Sequence, residues 1–163
     1  MTKNINRVVI LNNIRSNENV GSIFRTCDAT GVSKIILCGY TPTPIDRFGR
    51  ENKGLTKASL GAEKFVKWEK FESLAIVVDR LKNKKIFSDF LIVGVEQSKD
   101  SIDYKKIKDI KTQNIALVFG NEVEGLSKAD LKLCDMVAEL PMLGNKESLN
   151  VAVCAGVVLY ELL

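Results

Sequence analysis

The segment that most constrains this chain is its last one. Leu140-Pro-Met-Leu-Gly-Asn-Lys-Glu-Ser-Leu-Asn-Val151 is a polar, glycine-containing loop, and it runs straight into an uncharged, nearly all-apolar stretch ending at Tyr160. Read as a helix over Leu149 to Leu162, that stretch is apolar all round, through Val151, Ala152, Val153, Ala155, Val157, Val158 and Leu159. Such a helix must be covered on every side. In a chain of 163 residues, a second subunit is expected to supply part of the cover. The loop before it ends in Ser and Asn, which can present backbone N–H groups and a side-chain amide to a ligand. Two more polar, glycine-marked turns occur upstream, at Asn12 to Thr26 and Phe119 to Ser127, and the three together point to one composite site.

Between these turns the pattern alternates strand and helix. Arg7 to Leu11, Lys34 to Cys38, Phe65 to Trp68, Phe90 to Val95, Ile115 to Phe119 and Met136 to Leu140 read as strands. Glu18 to Thr30 has Val20, Ile23, Phe24 and Cys27 at helical spacing, with Gly31 as a stop. Phe71 to Leu81 reads as a helix, and Ser127 with Asp130 opens another with a capping-box pattern. Thr41 to Lys57 holds all but one of the prolines and reads as one long loop. About six strands interleaved with helices predict an α/β domain with a mostly parallel sheet. Continuous apolar strands such as Phe90 to Val95 fit burial on both faces.

Composition bounds the chemistry. At 163 residues and 18.1 kDa the chain reads as a single domain, 1–163, with no separate RNA-binding domain, no signal peptide and no run long enough to span a bilayer. It is expected in the cytoplasm. Cys27, Cys38, Cys134 and Cys154 lack metal or redox spacing and read as small buried hydrophobes of a reducing compartment. There is no histidine, which removes Ser-His-Asp and Cys-His catalysis, and no ligand cluster calls for a metal. The net charge of +4 is mildly basic and agrees with a nucleic-acid partner. The lysine runs Lys82 to Lys85 and Lys105 to Lys111 read as solvated faces.

Two readings are open for several residues. Gly120, at a strand end, could let a ligand approach the backbone or merely make a turn, and Gly125 would allow the turn into the next helix. Asn19, Ser22 and Arg25 form a polar stripe where a phosphate or ribose could be held, while Arg25 could equally be a snorkelling surface side chain. The loop containing Arg47, Arg50 and Lys53 could contact an RNA backbone or simply be soluble. Nucleotide-binding glycine fingerprints are missing.

Together, Asn13 to Thr26, Leu117 to Ser127 and Leu140 to Val151 resemble the three signature motifs of the TrmH/SpoU-type RNA 2′-O-ribose methyltransferases of the SPOUT superfamily. Ser59 to Val66 also resembles a family segment, and the likeness runs the whole length of the chain in order. The resemblance implies an α/β domain with a C-terminal deep trefoil knot, an exception to the rule that chains do not knot. It implies S-adenosylmethionine as cofactor, held by Val95, Glu96, Gly120, Leu140, Met142, Ser148 and Leu149. It implies a homodimer in which each site is completed by its neighbour, and RNA as substrate, tRNA favoured over rRNA.

For catalysis the resemblance implicates Arg25, with Asn19, Glu122, Ser148 and Asn150 holding the geometry, and Ser22, Arg25, Arg47, Arg50 and Lys53 facing RNA. A guanidinium with a pKa above ~12 is a poor base at neutral pH. Arg25 is therefore expected either to engage the 2′-OH itself or to clamp the adjacent phosphate while that phosphate or a carboxylate such as Glu122 takes the proton. A SPOUT base methyltransferase and a catalytically silent knotted RNA-binding protein are the competing functions. The motif-one arginine and the Ser-Leu-Asn of motif three favour ribose, and retention of Arg25, Glu122 and Asn150 disfavours the silent module.

Overall fold

Seven strands form one sheet in the order β3-β2-β1-β6-β4-β7-β5, and every neighbouring pair runs parallel. They are β1 (Asn6–Asn12), β2 (Lys34–Cys38), β3 (Trp68–Phe71), β4 (Leu91–Val95), β5 (Ile102–Asp103), β6 (Asn114–Phe119) and β7 (Met136–Glu139). The computed structural model describes residues 6–83, 90–110 and 114–163. Helices α1 (Asn17–Ala29), α2 (Lys53–Ser59), α3 (Leu74–Lys82), α4 (Lys128–Leu133) and α5 (Val151–Glu161) connect and cover the strands.

The pleat sorts the apolar residues into two cores. Val9 and Leu11 of β1, Val93 and Val95 of β4 and Leu117 and Phe119 of β6 pack with α1 and α5 on one face. Their alternates, Val8, Ile10, Ile92, Ala116 and Val118, pack with α3 and the Leu126 to Cys134 region on the other. This two-sided burial is why the strands read as unbroken apolar runs. Helix α2 lies tight on α1: a Cβ on Gly21 would stand 2.3 Å from Leu55 O, so glycine is what lets the two backbones approach.

Several sequence expectations shift. The segment 41–57 is not one loop, because Lys53–Ser59 is helical, capped by Asn52. Its composition hid this: Leu55 is the one large apolar side chain that it buries. The third strand lies at Trp68–Phe71 rather than Phe65 to Trp68, because Phe65 falls after the 3₁₀ turn Ala62–Lys64 and is 78% exposed. Helix α3 starts at Leu74 after a Ser73 cap. The two-residue β5 and the 3₁₀ turn Tyr104–Asp109, which buries Ile107, were not foreseen.

The described lysines of the two runs, Lys82, Lys105, Lys106 and Lys108, are exposed as expected, and two of them carry surface ion pairs. Lys82 pairs with Asp135 at 2.6 Å and Lys108 with Glu161. Lys84, Lys85 and Lys111 lie outside the described residues. The four cysteines are free, and no helix among the described residues is long and apolar enough to cross a membrane. Helix α5 buries Ala155, Val158 and Leu159 but leaves Val153 52%, Val157 38% and Tyr160 57% exposed. The all-round cover that its composition demands is thus incomplete within one copy of the chain.

Candidate active site

Three adjacent strand ends build the site. Strands β6, β4 and β7 are neighbours and point the same way, so Phe119, Val95 and Glu139 finish together along the C-terminal rim of the sheet. The carboxyl ends of the strands are where open α/β sheets bind ligands. Beyond that rim lies a cleft of ≈ 190 Å³. All seven residues expected at a cofactor, Val95, Glu96, Gly120, Leu140, Met142, Ser148 and Leu149, line it. Among the described residues, its lining includes four glutamates, Glu96, Glu122, Glu124 and Glu139, and neither lysine nor arginine. Cys154 also lines it. Burial, helped by Glu96, pushes its thiol up to about 11, so it is protonated at neutral pH.

Two glycines shape the cleft floor. A Cβ on Gly120 would sit 2.5 Å from Gly125 C and 2.6 Å from Leu126 N, so the missing side chain makes room for the turn's own backbone. The turn reading of Gly120 thus has a close backbone contact behind it, and Gly120 also lines the cleft. Gly125 has φ +66° and faces Glu96, whose Oε2 would be 2.1 Å from any added Cβ. That same oxygen accepts Leu126 N–H at 2.9 Å, while Oε1 accepts Gln97 N–H at 2.9 Å. Glu96 therefore ties the end of β4 to the turn after β6.

Glu122 is the hub. Its Oε1 accepts the N–H groups of Ser16 at 2.9 Å and Arg15 at 3.2 Å and Nδ2 of Asn19 at 3.1 Å, and its Oε2 accepts Arg15 N–H at 2.9 Å. Partial burial opposes its charge, but the donors from Arg15, Ser16 and Asn19 outweigh burial and hold its pKa below the usual carboxylate value. The carboxylate thus meets the N-terminus of α1, where Ser16 is the cap and accepts Asn19 N–H.

Asn19 passes the connection on. Its Oδ1 accepts Nδ2 of Asn150 at 3.0 Å, and Asn150 Oδ1 caps α5 by accepting Ala152 N–H at 2.9 Å and Val153 N–H at 3.4 Å. Three expected site residues, Glu122, Asn19 and Asn150, are therefore one hydrogen-bonded chain, and Ser148 joins Glu122 in the lining. Arg25 is not joined to them within one copy. It is exposed one turn beyond half-buried Ser22, does not line the cleft, and forms no ion pair among the described residues. Arg47, Arg50 and Lys53 are exposed, away from the lining.

Sequence reasoning missed the brace beneath Glu122. Asn121 is buried; its Nδ2 donates to Asn13 O at 3.0 Å and Tyr40 Oη at 2.8 Å, and its Oδ1 accepts Val123 N–H and Glu124 N–H. Asn13 stands in the left-handed region at φ 59°, a place asparagine tolerates better than most residues. Gln97 also went unnoticed; its Nε2 donates to Glu147 O at 2.6 Å and pins the loop before α5. The adjacency of Asn121 to Glu122 was the available signal.

The SpoU rRNA methylase family profile matches residues 6–160. A Staphylococcus aureus protein assigned to the TrmH family of tRNA/rRNA methyltransferases is 32% identical over 157 residues, 96% of this chain and 58% of that protein. The chain thus spans little more than half the length of that relative. A tRNA (guanosine(18)-2′-O)-methyltransferase of Aquifex aeolicus is 32% identical over 94% of this chain and 67% of its own. An AdoMet-bound rRNA methyltransferase from Sinorhizobium meliloti has the same fold, with a TM-score of 0.81 at 28% identity over 96% of this chain and 55% of that one.

Proposed function

The chain belongs to the SpoU rRNA methylase family, and on that premise we propose that it transfers the methyl group of S-adenosylmethionine to a ribose 2′-hydroxyl of structured RNA, tRNA in preference to rRNA. The observation that carries the reading is the cleft at the ends of β4, β6 and β7, lined by every residue the motifs implicate in cofactor binding. Its chemistry fits the group. Apolar walls from Val95, Phe119, Leu140, Met142 and Leu149 suit an adenosine, and glutamates without a basic residue suit a cation rather than a phosphorylated cofactor. The tRNA preference rests on the Aquifex relative.

Bound there, S-adenosylmethionine supplies an electrophilic methyl group on a sulfonium. The chain's residues must bring a 2′-OH to it and dispose of one proton. Glu122 is a poor base for that proton, since its oxygens already accept from Arg15, Ser16 and Asn19 and its pKa is lowered. It positions motif one against motif two. Asn19 and Asn150 fix the N-terminus of α5, and Ser148 stands in the lining as a hydroxyl contact for substrate or cofactor. Arg25 clamps the neighbouring phosphate and orients the ribose, and the 2′-OH proton is released to solvent water as the methyl group is transferred. Ser22, Arg47, Arg50 and Lys53 add to the RNA surface.

The single-copy position of Arg25, outside the cleft, supports a homodimer in which it serves the neighbour's site. The uncovered Val153, Val157 and Tyr160 on α5 are the surface offered for that pairing. We further read the segment 140–150, which runs from β7 past the ends of β4 and β6 to α5, as the threaded part of a trefoil knot. The chain would act as one catalytic domain in the cytoplasm, without a metal.

The test is transfer of labelled methyl from S-adenosylmethionine to tRNA and to rRNA, followed by nuclease digestion and mass spectrometry. A 2′-O-methylnucleoside is expected. A methylated base would replace the ribose assignment, and absence of both cofactor binding and transfer would leave an RNA-binding module.

A further inference from the structure

The segment between β2 and α2 folds back on itself as a tight hairpin. Ile45 and Glu51 pair antiparallel across it, Asp46 N–H donates to Arg50 O at 2.9 Å, and Gly49 turns the tip at φ +78°. Asp46 organises the tip from inside. Its Oδ1 accepts Phe48 N–H at 2.8 Å and Arg50 N–H at 2.9 Å, and its Oδ2 accepts Arg50 Nε at 2.8 Å. The root is fixed by Asn52, whose Nδ2 donates to Asn17 Oδ1 at 2.7 Å at the start of α1. Asn17 is two residues from Asn19, so the hairpin springs from the same helix end that the Glu122 hub holds.

Phe48 sits at this tip with 66% of its surface exposed, not in a core. Its ring meets cations: the guanidinium carbons of Arg47 and Arg50 lie 4.7 and 5.1 Å from the ring centroid. An exposed phenyl ring with two guanidinium groups close to it matches a ligand that carries a flat π-system next to a negative charge. A nucleotide of an RNA chain has both. An acidic peptide has only the charge.

We propose that Phe48 is a stacking platform for one unpaired base of the RNA substrate, with Arg47 shifting from the ring to the adjoining phosphate. The proposal rests on the RNA reading above and adds to it. Arg50 stays in place, tied to Asp46. Among the described residues Arg47 has no such tether, and base–aromatic stacking is stronger than an exposed cation–π contact, so exchange favours the base. Every base has a π-face, so the site selects an unstacked nucleotide and not a sequence. It would steer the domain to loops or junctions and away from continuous duplex.

The experiment compares a short single-stranded RNA with the blunt duplex of the same sequence, using the full chain. Phe48→Leu is expected to weaken single-strand binding by about fivefold to a hundredfold, Phe48→Tyr to restore it, and the salt slope to stay unchanged because no charge is removed. The indole introduced by Phe48→Trp should be quenched by the single strand and not by the duplex or by polyglutamate. Wild-type single-strand affinity in Phe48→Leu, or equal quenching by duplex or polyglutamate, overturns the proposal. Methyl transfer by the wild type is measured alongside. Transfer intact with unaltered Phe48→Leu affinity removes the stacking site alone. Quenching as expected without any transfer upholds the site and removes the methyltransferase reading.

Discussion

Asn150 and Asn19, 131 positions apart in sequence, meet through a 3.0 Å hydrogen bond from Nδ2 to Oδ1. The bond joins the cap of α5 to the first turn of α1, and Asn19 hands it on to Glu122. The two roles of Asn150 can be separated. Asn150→Asp keeps an acceptor for Ala152 N–H and Val153 N–H but loses the donor to Asn19. Stability near that of the wild type with a strong loss of transfer is expected. Asn150→Ala should lose the cap as well, costing about 1 kcal/mol in denaturant unfolding.

Glu122→Gln tests the hub through pH. A carboxylate whose folded pKa lies below its unfolded value stabilises the fold above the unfolded value, and loses that contribution as pH falls through the folded one. Glu122 is lowered from 4.5. Wild-type stability should therefore decline on acidification below that value, and Glu122→Gln should decline less. Urea midpoints measured from neutral to acid pH report the difference, and parallel profiles would remove Glu122 from this role.

Arg25→Ala should abolish methyl transfer while leaving S-adenosylmethionine affinity, read by calorimetry, near that of the wild type. Arg25→Lys should rescue little, because a lysine cannot present a planar fork to a phosphate. Undiminished turnover in the alanine variant would return Arg25 to an ordinary surface role.

Gly120→Ala should destabilise by about 1–3 kcal/mol, the usual scale of overpacking, since the new Cβ meets backbone that cannot swing away. Cofactor affinity should fall with it as the 120–126 turn shifts. An unchanged melting temperature would contradict the close approach of Gly120 to Gly125 and Leu126.

Val157→Asp places a charge on the open face of α5, where it is already 38% exposed. Sedimentation should show the wild type near twice 18.1 kDa and the variant near 18.1 kDa, with circular dichroism retained. A monomeric, fully active wild type would sink the shared-site reading.

Strands β1, β2, β4 and β6 were legible as buried apolar runs, α1 and α3 by helical spacing, α4 by its Ser127 capping box, and β7 and α5 by apolar composition. Helix α2 escaped because tertiary contact, Gly21 against Leu55 O, outweighs a weak local pattern. Strand β3 escaped because Trp-Glu-Lys-Phe at an edge alternates too briefly to fix its limits. The cleft was readable because its residues sit in ordered motifs. The cradle around Glu122 was not, since two of its three donors are the main-chain N–H groups of Arg15 and Ser16, which leave no mark on residue identity. Nor did sequence indicate that Asn121 would reach Tyr40.

The strand order carries a cost during synthesis. Strand β1 is made early, yet one of its two neighbours, β6, does not begin until Asn114, and β4 must wait for that same strand before it is joined to the rest of the sheet. A nascent chain halted before that point leaves bare main-chain edges on both β1 and β4, the kind that recruits stray strands. Since the cleft also needs residues up to Cys154, the ribosome must carry synthesis past the start of α5 before the cleft can close.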